Sequence, residues 1–198
     1  MIFSFTHGGR KIELDVASGV YYPREDSILL AKALMKEPVS GKILDLGCGC
    51  GFLSVLLTSR GEVTAADIDS AAVKNTKHNA EKLGLKIRVV QSNLFSNIPE
   101  SFDYIVFNPP YLPVAGEDKI WSGGSTGREV ISKFASQCQS HLKDLGKVFL
   151  VFSSLTGEKE VLELFKDMDC EIVARKKIPW EELLVLKATK RPKLIYEE

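Results

Sequence analysis

The 198 residues include only four cysteines and three histidines, few thiol and imidazole groups for a metal or redox centre, and no two of the cysteines form a CxxC pair. Cys48 and Cys50 are close only because they share a glycine turn where small side chains are wanted; with Cys138 and Cys170 they read as reduced thiols, and no metal site is expected. His7, His78 and His141 stand in polar or helical contexts and read as solvated, not as ligands or bases. No run approaches the ~18 apolar residues of a membrane span, and Met1 to Arg10 has no apolar signal core, so a soluble cytoplasmic protein is expected. Neither charge is in surplus: 26 Lys plus Arg meet 26 Asp plus Glu, with a pI near 6.8. Without a broad basic surface to neutralise phosphates, nucleic acid is not expected as the direct substrate. Internal repeats and low-complexity linkers are also missing, so residues 1–198 read as a single domain around one core.

What the chain does have is an alternation of strand and helix patterns. Lys42 to Leu46 is a short apolar run ending at Gly47, and Phe52 to Leu57 opens a helix that stops near Arg60-Gly61. Val63 to Ala66 leads to Asp67 as a second strand. A helix from Ser70 to Leu83 closes at Gly84, followed by Ile87 to Val90 as a third strand and Phe102 to Phe107 as a fourth. A helix from Thr126 to Leu142 and a fifth strand, Val148 to Phe152, complete a parallel set. After a helix at Glu158 to Phe165, Glu171 to Ala174 and Leu183 to Leu186 are strand-like on either side of Pro179, and the short gap suits an antiparallel hairpin. Ahead of the alternation, Phe3 to Leu14 can turn at Gly8-Gly9 as a small hairpin, and Arg24 to Met35 reads as a leading helix. The expectation is an α/β fold: a seven-stranded, mostly parallel sheet with a C-terminal antiparallel hairpin.

Asp45-Leu46-Gly47-Cys48-Gly49-Cys50-Gly51 makes a glycine-rich turn between the first strand and its helix. Gly47, Gly49 and Gly51 let backbone approach a ligand at a helix N-terminus, in the crevice above the strand ends where open α/β sheets bind ligands. A dinucleotide loop would want a third small residue where Phe52 stands, so the cofactor need not carry a pyrophosphate. Asp67, at the end of the second strand, can accept from both ribose hydroxyls of an adenosine. The bland reading, a tight turn with Asp67 as a helix cap, is weakened because Asp69-Ser70 already supply a cap.

Asn108-Pro109-Pro110-Tyr111 follows the fourth strand and so shares the carboxyl edge with the glycine turn. The prolines fix φ near −65° and push their predecessors to extended geometry, which presets the Asn108 carboxamide and the Pro109 carbonyl as a pair of acceptors. A planar NH₂ group fits that pair. An amide nitrogen is a poor nucleophile, and two hydrogen bonds to its hydrogens hold it in line and favour charge developing on it. Tyr111 can stack on the flat face of such a group. Alone, these four residues could be a mere proline turn.

Together, Asp45 to Gly51, Asp67 and Asn108 to Tyr111 resemble the class I, Rossmann-like S-adenosylmethionine-dependent methyltransferases of the HemK/PrmC family, the release-factor glutamine methyltransferases. Tyr22-Pro23-Arg24-Glu25-Asp26-Ser27 resembles a further segment of that family. Gly123-Gly124-Ser125-Thr126-Gly127-Arg128-Glu129-Val130 resembles a segment of its short archaeal and eukaryal branch. The resemblance runs from Tyr22 to Thr189 and leaves no room before Tyr22 for the helical substrate domain of the bacterial members. It implies S-adenosyl-L-methionine as cofactor, with Asp45 and Gly47 at its methionine end, Asp67 at the ribose, Asn93 and Leu94 at the adenine, and Ser27 helping to close the pocket. Asn93 stands where the family usually has aspartate, and its oxygen can still accept from an adenine amino group. Residues 1–40 would close over that pocket. The implied reaction is N5-methylation of the glutamine in a release factor's Gly-Gly-Gln loop. A DNA or RNA methyltransferase acting on adenine N6 or guanine N2 has the same pocket chemistry, and a cofactor-binding scaffold without catalysis is the reading from another class. In this sheet type the third parallel strand lies at an edge, where Val89 and Val90 are poorly shielded by Lys86 and Arg88. The resemblance implies a small zinc-binding activator protein along that strand. Glu25 and Asp26 are either first-turn acids of the leading helix or members of the pocket.

Overall fold

The computed structural model of the protein describes residues 1–113 and 124–192, so Gly123 of the sequence reading lies outside the described residues. Seven strands form one sheet in the order β5-β4-β3-β6-β7-β9-β8. β3 (Gly41–Leu46), β4 (Gly61–Asp67), β5 (Arg88–Gln91), β6 (Phe102–Phe107) and β7 (Leu142–Ser153) run parallel; β9 (Glu181–Lys190) lies antiparallel between β7 and β8 (Met168–Ile178). β3, β4, β6 and β7 are largely buried on both faces while the edge strand β5 is only half-buried, and the period of two decides which side chain goes where. Ile43, Val106, Phe149 and Val151 enter one core with α1 (Glu25–Lys36) and α2 (Phe52–Leu57). Leu44, Ile105, Val148, Leu150 and Phe152 enter the other with α4 (Glu129–Cys138) and α5 (Glu158–Leu164). Burying each such side chain contributes about 1.5–3 kcal/mol, so the ends of β3 to β6 are held on a rigid frame.

The amino-terminal residues form the expected hairpin, β1 (Ile2–His7) with β2 (Arg10–Asp15). Phe3 and Phe5 both pack edge-on against Phe52 at the start of α2, with ring centroids 4.8 and 5.0 Å apart. α3 (Ser70–Lys82) ties the following turn down: the Asp15 and Ala17 amides donate to the carboxamide oxygens of Asn79 and Asn75.

Three elements differ from the sequence reading. α4 begins at Glu129, not Thr126, because Gly127 is left-handed at φ +73° and the Glu129 carboxylate accepts from the Thr126 amide and the Ser125 hydroxyl, which makes those residues the helix's lead-in. The same helix ends at Cys138, and after one 3-10 turn β7 starts at Leu142, six residues early, with a bulge in its register against β6. The C-terminal strands are longer than their apolar cores, and Pro179-Trp180 is the turn itself: proline fits the first corner, and Trp180 takes the second at φ +77°. Among the described residues, no helix is long and apolar enough to cross a membrane.

Candidate active site

A cavity of about 820 Å³ opens at the carboxyl ends of β3, β4, β5 and β6, within the size range of small-molecule sites. Ser27, Asp45, Gly47, Gly49, Asp67, Asn93, Leu94, Asn108, Pro109, Pro110 and Tyr111 all line it, although Ser27 and Tyr111 lie 84 residues apart in sequence. Gly51 is the exception among the expected residues. It sits behind the turn at φ +85° as the residue before α2, where an added Cβ would come within 3.0 Å of Thr76. It shapes the site without facing it. Tyr21 and Lys133 also line the cavity and carried no sequence signal of their own.

The glycine turn is held from below. The Cys48 amide donates to the Ala66 carbonyl, and the Gly49 amide donates to Asp67 Oδ2 at 3.0 Å. Asp67 Oδ1 accepts from the Asp69 amide at 2.9 Å, while Asp69 itself caps α3 through the Ala71 amide, so Asp67 is not the helix cap. Each Asp67 oxygen carries one backbone bond and keeps a lone pair for a ligand. Burial raises the Asp67 carboxyl above its ordinary value. Burial also pushes the Cys48 thiol well up and the Cys50 thiol up to about 12, which makes both inert neutral groups. Among the described residues, no cluster of three His, Cys, Asp or Glu side chains could hold a metal ion.

Asp45 is 1% exposed and accepts from the Ser54 hydroxyl; burial pushes its carboxyl up to about 7. In the folded chain it therefore keeps its proton at pH values where the unfolded chain has lost it. The stabilising contribution is fully present below the ordinary aspartate range and is lost as pH rises through about 7. At about 1.4 kcal/mol per pH unit, the loss amounts to about 4 kcal/mol. Thermal unfolding of the ligand-free protein should thus show a stability that falls between pH 4 and pH 7. Asp45→Asn should flatten that fall, and an unchanged pH slope in the variant would assign it to other carboxyls.

Asn108 leaves β6 with its carboxamide nitrogen donating to Asp26 Oδ2 at 3.2 Å and to the Ser27 hydroxyl at 3.1 Å. Its carboxamide oxygen has no partner among the described residues and remains as the acceptor in the cavity wall. Tyr21 and Tyr111 both donate their hydroxyls to the Asp26 carboxylate. Both phenols are raised far above their ordinary value, by burial first and then by the nearby Asp26 charge, so they stay protonated donors. Tyr22, at the head of the family-like segment that runs to Ser27, donates to the Ile2 carbonyl and fastens β1. Gly127, ahead of α4, is packed close to the Asn-Pro-Pro-Tyr corner: a Cβ there would meet the Tyr111 carbonyl at 2.3 Å.

An open, mostly parallel sheet with a glycine turn, a buried carboxylate and Asn-Pro-Pro-Tyr around one crevice has the fold of a class I S-adenosylmethionine-dependent methyltransferase. The chain belongs to the methyltransferase small domain family, which it matches over residues 18–178. It is 39% identical, over 89% of its own length and 95% of the relative's, to a Methanocaldococcus jannaschii chain named provisionally as a protein N5-glutamine methyltransferase. Among solved structures it resembles the Encephalitozoon cuniculi Mtq2–Trm112 complex, described as responsible for methylation of the eRF1 translation termination factor. The TM-score is 0.74 and the identity 30%, covering 86% of this chain and 98% of that one. It also resembles the Thermus thermophilus 16S rRNA N2 G1207 methyltransferase bound to S-adenosylmethionine and guanosine, with a TM-score of 0.75 and 26% identity over 96% of this chain. The chain spans only 50% of that enzyme. The residues present fit the cofactor: a turn of glycine backbone, a carboxylate with two spare lone pairs, and Asn93 and Leu94 at the end of β5 share one cavity of sufficient size.

Proposed function

We propose that the protein transfers a methyl group from S-adenosyl-L-methionine to the side-chain amide nitrogen of a glutamine, in the Gly-Gly-Gln loop of a peptide chain release factor in the cytoplasm. The observation that carries this reading is the Asn108 carboxamide, whose nitrogen is committed to Asp26 and Ser27 and whose oxygen is left to accept from an incoming N–H. The Pro109 carbonyl is the second acceptor, and Tyr111 borders the same space. Asp67 would hold the ribose, Asn93 and Leu94 the adenine, and Asp45 with Gly47 and Gly49 the methionine end, under the lip formed by residues 1–40. When bound, the cofactor supplies an electrophilic methyl group on a sulfonium. The acceptor nitrogen would form its bond to the methyl carbon as the carbon–sulfur bond breaks and the sulfur leaves as a neutral thioether, and the proton it gives up would pass to water. The nitrogen's two hydrogen bonds hold the lone pair toward the methyl group, and orientation takes the place of a strong general base. The M. jannaschii relative, of similar length and named for N5-glutamine, supports a glutamine acceptor, and the E. cuniculi protein, whose described target is a termination factor, supports a release factor as substrate.

A second reading is carried by the Thermus relative, whose described target is guanine N2 of ribosomal RNA. An exocyclic amine would meet the same pair of acceptors. The balanced charge, 26 against 26, offers RNA no net positive charge, which speaks against it. Methyl-labelled cofactor offered to the purified protein with a cognate release factor, and separately with ribosomal RNA, decides between them. A methyl group located by mass spectrometry on the Gly-Gly-Gln glutamine supports the first reading, and one on guanine replaces it.

The same reading includes a small zinc-binding activator along β5. β5 is the sheet edge; Arg88 pairs with Glu100, while Val89 and Val90 are half-buried and Leu83 is exposed beside the half-buried Leu85 and Ile87. Strand addition by a partner would satisfy both the backbone and the apolar stripe, and the E. cuniculi relative is described in complex with Trm112. Val89→Lys should then lower the activity obtained with the activator by at least an order of magnitude while leaving the fold intact by circular dichroism. Full solubility and full activity of the chain alone, with Val89→Lys silent in cells, would remove the reason for a partner.

A further inference from the structure

The Asp26 carboxylate is 5% exposed, and every group it touches is a donor. Oδ1 accepts from the Ser27 amide at 2.6 Å, the Ser27 hydroxyl at 3.2 Å and the Tyr21 hydroxyl at 2.7 Å. Oδ2 accepts from Tyr21 at 2.8 Å, from the Asn108 carboxamide nitrogen at 3.2 Å and from the Tyr111 hydroxyl at 3.2 Å. A carboxylate can only accept, so the direction of each bond is fixed. The charge sits in the first turn of α1, where the helix dipole favours it.

A carboxamide has nearly the same shape after a half-turn, and nothing in the shape of Asn108 chooses between its two orientations. With the nitrogen toward Asp26 the oxygen faces the cavity. With the amide turned over, its oxygen would meet a carboxylate oxygen at hydrogen-bond distance, and lone pairs would oppose. Ser27 follows the same logic: its proton goes to Asp26 Oδ1, which leaves its lone pair for Asn108. We infer that Asp26 is a positioning residue that sets the polarity of the active site, holding the Asn108 oxygen outward so that the site accepts an N–H and rejects a bare acceptor. The inference rests on the proposed role of Asn108 toward the acceptor nitrogen; Asp26 itself touches no substrate. Asparagine at position 26 would present an NH₂ to neighbours that are all donors and release that choice.

The test uses the full chain and two independent readouts. In the first, side-chain amide signals of the protein with ¹⁵N-labelled asparagine are recorded without any acceptor, and Asn108 is assigned by its loss in Asn108→Ala. Its NH₂ protons should exchange slowly in the wild type and at the rate of solvent-exposed asparagines in Asp26→Asn. In the second, Asp26→Asn should lower kcat on the order of 10²-fold with cofactor affinity within a few-fold. In the Asn108→Ala background the same change should add less than about 3-fold, because residues acting through one another are not additive. If Asp26→Asn does not fold, Ser27→Ala, which removes the other acceptor on the Asn108 nitrogen, should give a smaller loss with the same non-additivity. Full multiplication of the two effects, or an unchanged Asn108 amide signal in Asp26→Asn, overturns the inference. Transfer by the wild type to guanine instead of glutamine would end the proposed substrate and leave Asp26 standing, since both acceptors present N–H.

Discussion

Replacing Asn108 by alanine is expected to lower kcat by about 10²- to 10³-fold, the usual consequence of deleting one preorganised contact to the reacting group, while the dissociation constant for S-adenosylmethionine stays within a few-fold. The two effects separate because Asn108 faces the acceptor side of the cavity, and the glycine turn and Asp67 are held by bonds in which it takes no part. The variant should also fold. Removing the carboxamide leaves Asp26 with Tyr21, Tyr111 and the Ser27 amide as donors, so its charge keeps hydrogen-bonded company. Asn108→Asp is the sharper control. It keeps the size of the side chain but sets a second carboxylate against Asp26, a like-charge contact that costs both stability and turnover. Single-turnover rates with saturating cofactor measure the loss directly. Wild-type rates in Asn108→Ala would mean that the acceptor nitrogen is held elsewhere.

The sheet was readable from the sequence because its strands are short apolar runs bounded by glycine and charge, and burial on both faces makes such runs unmistakable. β6 has the limits the pattern predicts, Phe102 to Phe107. Misreadings fell where a tertiary partner overrode local propensity. β7 starts early because Leu142 to Lys147 pairs with β6 through a bulge, a connection no window of residues reveals. α4 starts late because Ser125 and Thr126 serve the Glu129 side chain and not the helix backbone. Within the site, the glycine turn, Asp67 and the Asn-Pro-Pro-Tyr corner were legible because each is a chemical type tied to the end of a predicted strand. Asp26 was not. Its position after Pro23 and Arg24 suits the first turn of any helix, and its partner Asn108 lies 82 residues away. The sequence left Asp26 as either a first-turn acid or a member of the pocket, and the tyrosine five residues before it, which donates to it in the fold, gave no sign of its role.

Asp67→Ala should weaken S-adenosylmethionine binding by about 1.5–3 kcal/mol, the scale for hydrogen bonds to a charged group, or about 10- to 150-fold in dissociation constant. The structure adds a cost that the sequence did not show. Asp67 also receives the Gly49 and Asp69 amides, so the alanine variant leaves both donors without their side-chain acceptor and loosens the turn that the cofactor must approach. Asp67→Asn separates the two losses. Its oxygen can still accept one backbone amide, but its NH₂ faces the other and cannot accept from a ribose hydroxyl. Binding in Asp67→Asn should therefore fall nearly as far as in Asp67→Ala while the thermal midpoint falls less. The raised carboxyl adds a pH dependence: affinity in the wild type should decline with acid at a pH above the ordinary aspartate range, and neither variant should follow it. Calorimetric titrations of the three proteins across that range decide the matter. Equal dissociation constants in wild type and Asp67→Ala would move the ribose contact to another residue of the β4 edge, whereas loss of binding in Asp67→Ala with full binding in Asp67→Asn would make Asp67 a support for the glycine turn alone.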